Sequence, residues 1–266
     1  MVDSPLVDAL SPWRCRGECF WLFGHARAEE HLAPVAFNVL EGVSTFASPE
    51  VSGAYQGGLT SIMIARYNDS PVGPHDELIW VPGQFAVPPT GRNANRITRA
   101  YVSTKESAYN RRKHWNIPAR TAHFTFVPSG ANSPKALPYS RICVAPPDAP
   151  DNPFFVTDLA PSFLLSSGLI PFSSSFVPLS REVECPPLPQ SDSWREDACI
   201  GTERWVSLTP AMKGKAGFFR WKGGLADGAL ADNVGLPNVR PWSTGMWLRE
   251  FELEFPVGDV LGKRGG

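Results

Sequence analysis

The sequence predicts a mainly β protein, built as one large antiparallel sheet or barrel with few short helices. Three observations lead to this fold class: 27 prolines in 266 residues, several runs with the two-residue alternation of strands, and no repeating strand–helix–strand pattern. Proline interrupts helices and sits at strand edges and turns, so long helices are not expected. Nine Trp and 16 Phe residues supply apolar surface for a core, so the prolines do not indicate disorder.

Four runs are predicted as strands, at 77–82, 122–127, 217–222 and 246–255. The first is apolar on both parities, which is typical of a strand covered on both faces. The second alternates, with Ala122, Phe124 and Phe126 on one side.

The last predicted strand, in "MWLREFELEFP", has the clearest alternation in the chain. One face is expected to carry Trp247, Phe251, Leu253 and Phe255. The other face is expected to carry Glu250, Glu252 and Glu254.

A helical pattern is found only in "HARAEEHLAPVAF", residues 25–37, which lasts two turns before Pro34. Proline- and glycine-rich turn signals separate the strands, and the Gly/Ala/Asp-rich piece at 223–235 is interpreted as a connection. No repeat and no domain boundary is evident, so residues 1–266 are expected to form a single domain.

Composition and charge exclude several classes of function. Lys plus Arg number 25 and Asp plus Glu 26, a net charge of −1, whereas dedicated nucleic-acid binders are usually much more basic. Five cysteines are too sparse and odd in number for a disulfide framework, which favours a reducing, cytoplasmic location. No signal-peptide core is evident, and the best apolar run, 163–179, is broken by Ser and Pro, so no membrane span is expected.

Metal and nucleotide sites are not supported by the motifs. Cys15, Cys19, His25 and His31 could be zinc ligands, but the gap from Cys19 to His25 is too short for a finger. Buried thiols and surface histidines are the better interpretation, and no metal or other cofactor is expected. The G-x-S-x-G elbow, the Walker loop, the dinucleotide fingerprint and H-E-x-x-H are absent.

A first candidate site lies in "YNDSPVGPHDELIWVPGQF", residues 67–85. Asp69, His75, Asp76 and Glu77 lie on a turn that leads into an apolar strand. A carboxylate at such a junction can have its pKa raised by desolvation, which suits proton transfer. The alternative is a turn with solvated acids, which the residues alone favour.

A second candidate is "ESAYNRRKHWNIPAR", residues 106–120, where Arg111, Arg112, Lys113 and His114 form a basic run. The simple interpretation is a solvated loop. A catalytic interpretation needs a neutral lysine, whose pKa must fall several units from its usual ~10.4. Neighbouring cations would lower it, as would an apolar wall supplied by Tyr109, Trp115 and Ile117.

Together, "SPVGPHDELIWVPG" and "RAYVSTKESAYNRRKHWNIPAR" resemble the acetoacetate decarboxylase superfamily, and most of all its divergent, fungal-type members. The resemblance covers roughly residues 59–128. It implies a closed, mainly antiparallel β-barrel or cone with the active site inside, no cofactor, and a homo-oligomer.

The resemblance also implies roles for single residues. Glu77 resembles the active-site glutamate of the family. The family's adjacent lysine pair falls on Arg111 and Arg112 when aligned from "SAY", and on Lys113 and His114 when aligned from "NIP". The second alignment is preferred, because the strand after the proline should hold its register better than a loop before the lysine.

These residues lead to a hypothesis and two alternatives. The hypothesis is a cofactor-free enzyme of secondary metabolism that acts on a carbonyl compound, β-keto or polyketide-like. Lys113 would form a Schiff base for decarboxylation or aldol/dehydration chemistry, Glu77 would move the proton, and Arg111 or Arg112 would hold a carboxylate or enolate. His114, Trp115 and Tyr109 are expected to contact the substrate. The alternatives are a non-covalent cyclase or isomerase with an apolar barrel pocket, and a metabolite-binding protein without turnover.

Overall fold

The computed structural model describes residues 6–28, 32–131, 136–162, 170–177 and 180–262. Within these ranges the chain is mainly β, with four short α-helices, as the prolines and the alternating runs predict. The strands are β1 (Trp13–Ala26), β2 (Tyr55–Asp69), β3 (His75–Val81), β4 (Gln84–Val87), β5 (Arg92–Asn95), β6 (Arg99–Val102), β7 (Ala119–Thr121), β8 (His123–Pro128), β9 (Tyr139–Ala145), β10 (Phe155–Pro161), β11 (Ile170–Ser173), β12 (Val183–Cys185), β13 (Trp205–Leu208), β14 (Ala211–Gly223), β15 (Thr244–Phe255) and β16 (Asp259–Leu261). The α-helices are α1 (Val39–Gly42), α2 (Pro49–Ser52), α3 (Lys105–Trp115) and α4 (Trp194–Asp197), and 3₁₀ turns lie at Pro34–Ala36, Thr45–Ala47 and Ser174–Phe176.

The described strands form one connected sheet, in the order β16-β13-β12-β5-β4-β2-β1-β15-β14-β10-β9-β8. A branch, β3-β6-β7, pairs with β2, and β11 pairs with β14. Most pairings are antiparallel, but β6–β7 and β5–β12 are parallel. The four predicted strands correspond to β3, β8, β14 and β15.

The central strands bury both faces, and each face packs into its own core. In β3, Glu77 and Ile79 lie on the side that packs against α3, whereas Leu78 and Trp80 enter the core shared with β9 and β10. The apolar pattern of 77–82 on both parities therefore has the cause that was predicted. We call the first side the α3 face of the sheet; it carries the candidate site.

The predicted face pattern of the last strand is wrong at one residue. Phe251, Leu253 and Phe255 lie on the α3 face, but Trp247 lies in the opposite core. The register against β14 shifts between Lys213 and Lys215, and Glu250 has a positive φ of 49°. This bulge inserts a residue and reverses the parity of the strand beyond it.

The predicted helix at 25–37 does not form where it is described. His25 and Ala26 are the last residues of β1, and only the 3₁₀ turn Pro34–Ala36 follows; residues 29–31 lie outside the described ranges. A strand forms here because the backbone of β1 pairs with β2 as far as Ala26 and with β15 from Trp13 to Trp21. The opposite error occurs at α3, an 11-residue helix in the run that was interpreted as a loop.

Among the helices described above, none combines the length and the apolar character needed to cross a membrane. Most of the apolar run 163–179 lies outside the described ranges.

Candidate functional site

Helix α3 decides which residues of the basic run face the core. Its N-terminus is capped by Thr104, whose hydroxyl accepts a hydrogen bond from the Ser107 N–H, and it ends at Asn116, which adopts the left-handed conformation (φ 53°). In a helix, residues three, four and seven apart share a face. The buried face therefore contains Ala108, Arg111, Arg112 and Trp115.

Arg111 and Glu77 form a completely buried ion pair, with both side chains 0% exposed. The Arg111 Nη2 donates to Glu77 Oε2 over 2.8 Å, and the hydroxyl of Tyr67, on β2, donates to the same oxygen over 3.0 Å. Glu77 thus lies in the interior, as predicted, and its partner is Arg111.

Aromatic rings enclose the Arg111 guanidinium. Its Cζ lies 3.8 Å from the centroid of Phe255, 5.2 Å from Trp13 and 5.7 Å from Trp115. Trp115 is itself fixed, because its indole N–H donates to the Pro256 carbonyl over 2.7 Å. This cage favours the cation through its ring quadrupoles and excludes water from the pair.

Three polar atoms of the pair keep hydrogen-bonding capacity. Within the described part of the chain, Arg111 Nε, Arg111 Nη1 and Glu77 Oε1 are buried and have no hydrogen-bond partner. Buried polar groups are normally satisfied, so such atoms call for an explanation. A ligand oxygen held by Arg111 and a proton moved by Glu77 Oε1 would use these atoms.

The surroundings of the pair raise the pKa of the Glu77 carboxyl group. Burial raises the pKa of Glu77, and the Arg111 charge and the hydrogen bonds from Tyr67 and Arg111 oppose that rise only in part. Burial also raises the pKa of the neighbouring Cys15 thiol to about 11, so this thiol stays protonated near neutral pH.

His75 lies beside this pair as a neutral imidazole. Its ring centroid is 4.9 Å from that of Tyr67, and its Nδ1 lies 3.1 Å from the Gly73 carbonyl oxygen. Burial, together with the charge of Arg111, lowers its pKa to about 4. Nδ1 therefore donates to Gly73, and Nε2 is left as a buried acceptor without a hydrogen-bond partner among the described residues.

Lys113 lies on the other side of the helix, and the structure does not support its predicted role. Its Nζ donates to Asp8 over 2.7 Å and to the Tyr109 hydroxyl over 3.1 Å, with 36% of the side chain exposed. The hydrogen bond to Asp8 raises the pKa of this ammonium, the opposite of what a Schiff-base nucleophile needs. The phase of α3 is the reason, since position 113 is neither three nor four residues from the inward position 108.

The other predicted contact residues also have assigned partners. Arg112 donates from Nη1 to Glu41 over 2.7 Å, from Nε to the Ile200 carbonyl and from Nη2 to the Pro189 carbonyl. This side chain therefore ties α3 to two loops and keeps little capacity for a substrate. His114 pairs with Asp8 at 2.8 Å on the partly exposed side of the helix.

Tyr109 packs parallel to Trp194, with 6.5 Å between the ring centroids, and is nearly buried. With Lys113 it covers the outer side of α3. Of the residues predicted to contact the substrate, Arg111 bonds Glu77, and Trp115 lies against Arg111.

Above the ion pair, the α3 face becomes apolar and gradually more open. Residues paired across neighbouring strands form rows over this face, and the row that contains Cys19, Ala65 and Glu77 is fully buried. The next row joins Trp21, Met63, Ile79, Met246 and Phe218, and the one after it joins Phe23, Ser61 and Val81. Trp21, Phe23, Val81 and Phe218 are half-buried, whereas Met63, Ile79 and Met246 are only 5–8% exposed and separate the pair from the open rows.

Two clefts of about 500 Å³ lie elsewhere on the sheet. One lies between the end of β14 and the loop 227–243, and the other lies over Asp158–Ala160 and Arg220–Lys222. Neither is lined by Glu77 or Arg111. No cluster of metal-ligating side chains occurs in the described ranges; Cys15 and Cys19 are buried free thiols, and His31 lies outside these ranges.

Sequence reasoning missed Tyr67, which lies ten residues before Glu77 on the paired strand β2. The available signal was antiparallel pairing across the turn 70–74, which places Tyr67 opposite His75 and next to Glu77.

The fold is that of acetoacetate decarboxylase. An acetoacetate decarboxylase from Legionella pneumophila superposes with a TM-score of 0.59 at 12% identity, covering 99% of this chain and 93% of that one. The enduracididine biosynthesis enzyme MppR, in complex with pyruvate, gives 0.54 at 14% identity, covering 96% and 92%. An acetoacetate decarboxylase-like enzyme from Sphingomonas wittichii gives 0.54 at 11% identity, covering 99% and 97%. No family model and no curated protein matches the sequence.

Proposed function

We propose that this protein is an enzyme that isomerises or cyclises an apolar carbonyl compound by proton transfer, without a covalent intermediate. The observation that carries the proposal is that Arg111 faces Glu77 in the core. The solved structures with this fold are enzymes, which supports catalysis as such. Schiff-base chemistry is left out of the proposal because Lys113 is ion-paired on the outer side of α3.

In the proposed reaction, Glu77 and Arg111 divide the work. Glu77 Oε1 removes a proton from the carbon next to the substrate carbonyl, and the C–H electron pair moves into an enolate. Arg111 Nη1 and Nε donate to the enolate oxygen, a role in which one hydrogen bond typically contributes about 3–4 kcal/mol. Return of the proton to another carbon isomerises the substrate. Alternatively, the enolate carbon attacks an internal carbonyl and closes a ring, and the alkoxide formed takes the proton back from Glu77.

Access to the pair requires a movement of the row above it. Met63, Ile79 and Met246 are nearly buried between Glu77 and the half-buried aromatic rows. Methionine is unbranched and adapts to irregular shapes, so this barrier can rearrange around an apolar substrate. The aromatic rows would hold the body of the substrate by apolar contact.

The test uses 2-tetralone, an apolar and enolisable ketone, in D₂O. We expect the wild type to accelerate exchange of the α-protons, Glu77→Gln to lose about 10²–10⁴ of the rate, and Lys113→Arg to keep it. Circular dichroism checks that each variant is folded. Borohydride added to the same samples should leave the intact mass unchanged; an adduct that Lys113→Arg abolishes would instead establish the Schiff base.

A second candidate, a metabolite-binding protein without turnover, is favoured by the complete enclosure of Glu77 and Arg111. Binding of 2-tetralone without exchange above the buffer rate would support it over the enzyme.

A further inference from the structure

We infer that Arg220 anchors the anionic end of a long, apolar substrate whose carbonyl end reaches Glu77. This inference rests on the proposed function and adds the class of substrate, an amphipathic carbonyl compound with an acid group at its far end. Three features of the structure support it: the register of β14, a cleft at that position, and the guanidinium of Arg220, which is unpaired within the described ranges.

The register places Arg220 on the α3 face at the rim of the apolar rows. Ala216 and Phe218 lie on this face in β14, opposite Leu248 and Met246 of β15. Arg220 follows two residues after Phe218, so its side chain leaves the strand on the same face. It is exposed, whereas Phe218 is half-buried, which marks the edge of the apolar surface.

The guanidinium of Arg220 is available for a ligand. Among the described residues it makes no hydrogen bond or ion pair. It lines the second of the two clefts, of about 510 Å³, with Lys222 on the same strand and Ala160 opposite it on β10. Asp158, the carboxylate in this cleft, is already held by Arg141 at 2.5 Å. The cleft therefore carries unmatched positive charge.

The spacing defines the length of the ligand. Ala216 lies in the row of Glu77, because both are joined through Cys19 and Leu248 by strand pairing. Four residues of strand separate Ala216 from Arg220, which corresponds to about 13 Å along the strands, and the four strand steps from β3 to β14 add about 19 Å across the sheet, so Arg220 lies about 23 Å from Glu77 along the sheet surface. Carbon–carbon bonds of ~1.5 Å advance an extended chain by about 1.3 Å each, so roughly eighteen bonds would join the carbonyl to the acid group.

The test compares decanoate with 1-decanol, which has the same chain length without the charge, in displacement of the neutral dye Nile red. We expect the wild type to bind decanoate about fivefold more tightly at low salt, the scale of an exposed ion pair, and to lose this preference as salt is raised. Arg220→Gln should bind both ligands alike, with the affinity for decanol unchanged. Phe218→Ser should weaken both.

Arg240→Gln is the matched control, because Arg240 is also exposed and lines the other cleft of similar volume. It should keep the preference for decanoate. The inference is overturned if the wild type has no preference, if the preference survives in Arg220→Gln, if Arg240→Gln removes it equally, or if neither ligand displaces the dye. Any of these results leaves the exchange assay on Glu77→Gln unaffected, so failure here is distinguishable from failure of the proposed function.

Discussion

Removing either member of the Arg111–Glu77 pair should destabilise the protein strongly, but with a different dependence on pH. Both side chains are fully buried, so a single substitution leaves an uncompensated charge in the core. Breaking a buried ion pair in this way typically costs about 3–5 kcal/mol of unfolding free energy. The variants are Arg111→Met and Glu77→Gln.

The pH dependence differs because only one of the two charges can be neutralised. In Arg111→Met, burial still raises the pKa of Glu77, and the lowering effect of Arg111 is gone. Above the ordinary glutamate pKa the folded variant then binds a proton that the unfolded chain has released. Stability therefore falls as pH rises through this window, by at most about 1.4 kcal/mol per pH unit. In Glu77→Gln, Arg111 cannot lose its proton, so the pair gives the stability of this variant no pH dependence.

The assay is urea denaturation at pH 5.5, 7.0 and 8.5, followed by Trp fluorescence, with the wild type measured at each pH. The double variant Glu77→Leu/Arg111→Met removes both charges and should recover most of the loss, except for about 1 kcal/mol because Tyr67 loses its acceptor. The reasoning is refuted if each single variant loses less than about 1 kcal/mol, or if the two deficits vary with pH in the same way.

Three further predictions concern the surroundings of the pair. Arg112→Met should lose about 3–5 kcal/mol, because it removes the close partner of the buried Glu41 carboxylate and leaves it only Arg120, at 3.9 Å. Lys113→Met should lose under about 1 kcal/mol because its bridge to Asp8 is partly solvated, and chemical denaturation compares the two variants. The pKa of His75 is lowered from 6.5 to about 4, so between these pH values the folded protein binds fewer protons at His75 than the unfolded chain does. The unfolding free energy should therefore fall by up to about 3 kcal/mol as the pH drops from 6.5 to 4. In thermal melts, His75→Phe should flatten this dependence on pH. The homo-oligomer that the family resemblance implies should appear in light scattering as a species larger than the 29.1 kDa monomer, and a monomer alone would contradict it.

The fold class followed from the sequence because strand patterns depend on neighbours two residues apart. The alternation of 122–127 and the apolar run 77–82 survive in β8 and β3. The bulge at Glu250 could not be foreseen, because its cause is the pairing of β15 with β14, more than thirty residues away in the chain. A single inserted residue was enough to move Trp247 to the opposite face.

The interior position of Glu77 was predicted from the sequence, whereas the helix that carries the basic run was not. Glu77 was identified from its place at the junction of a turn and a buried strand, and it lies in the core. The basic run was treated as a loop, in which any side chain can turn inward. As a helix bounded by Thr104 and Asn116, with Ala108 and Trp115 as inward residues, the same run leaves only Arg111 and Arg112 facing the core. The alignment on "SAY" therefore describes the geometry better than the alignment on "NIP".

Arginine at position 111 changes the chemistry that this fold can support. An iminium requires an amine that becomes neutral near pH 7, and a guanidinium stays protonated in proteins. In the proposed reaction, the electrons released from the broken bond therefore remain on the substrate oxygen, stabilised by hydrogen bonds from Arg111. This arrangement suits proton transfer, because the enolate is short-lived and Glu77 is bonded to the same guanidinium. The distance between Glu77 Oε2 and Arg111 Nη2 is 2.8 Å. Decarboxylation through an imine would need an amine in place of this guanidinium. Arg111→Lys thus tests the assignment directly: with Glu77 retained, an inward lysine should become trappable by borohydride and 2-tetralone, whereas the wild type should not.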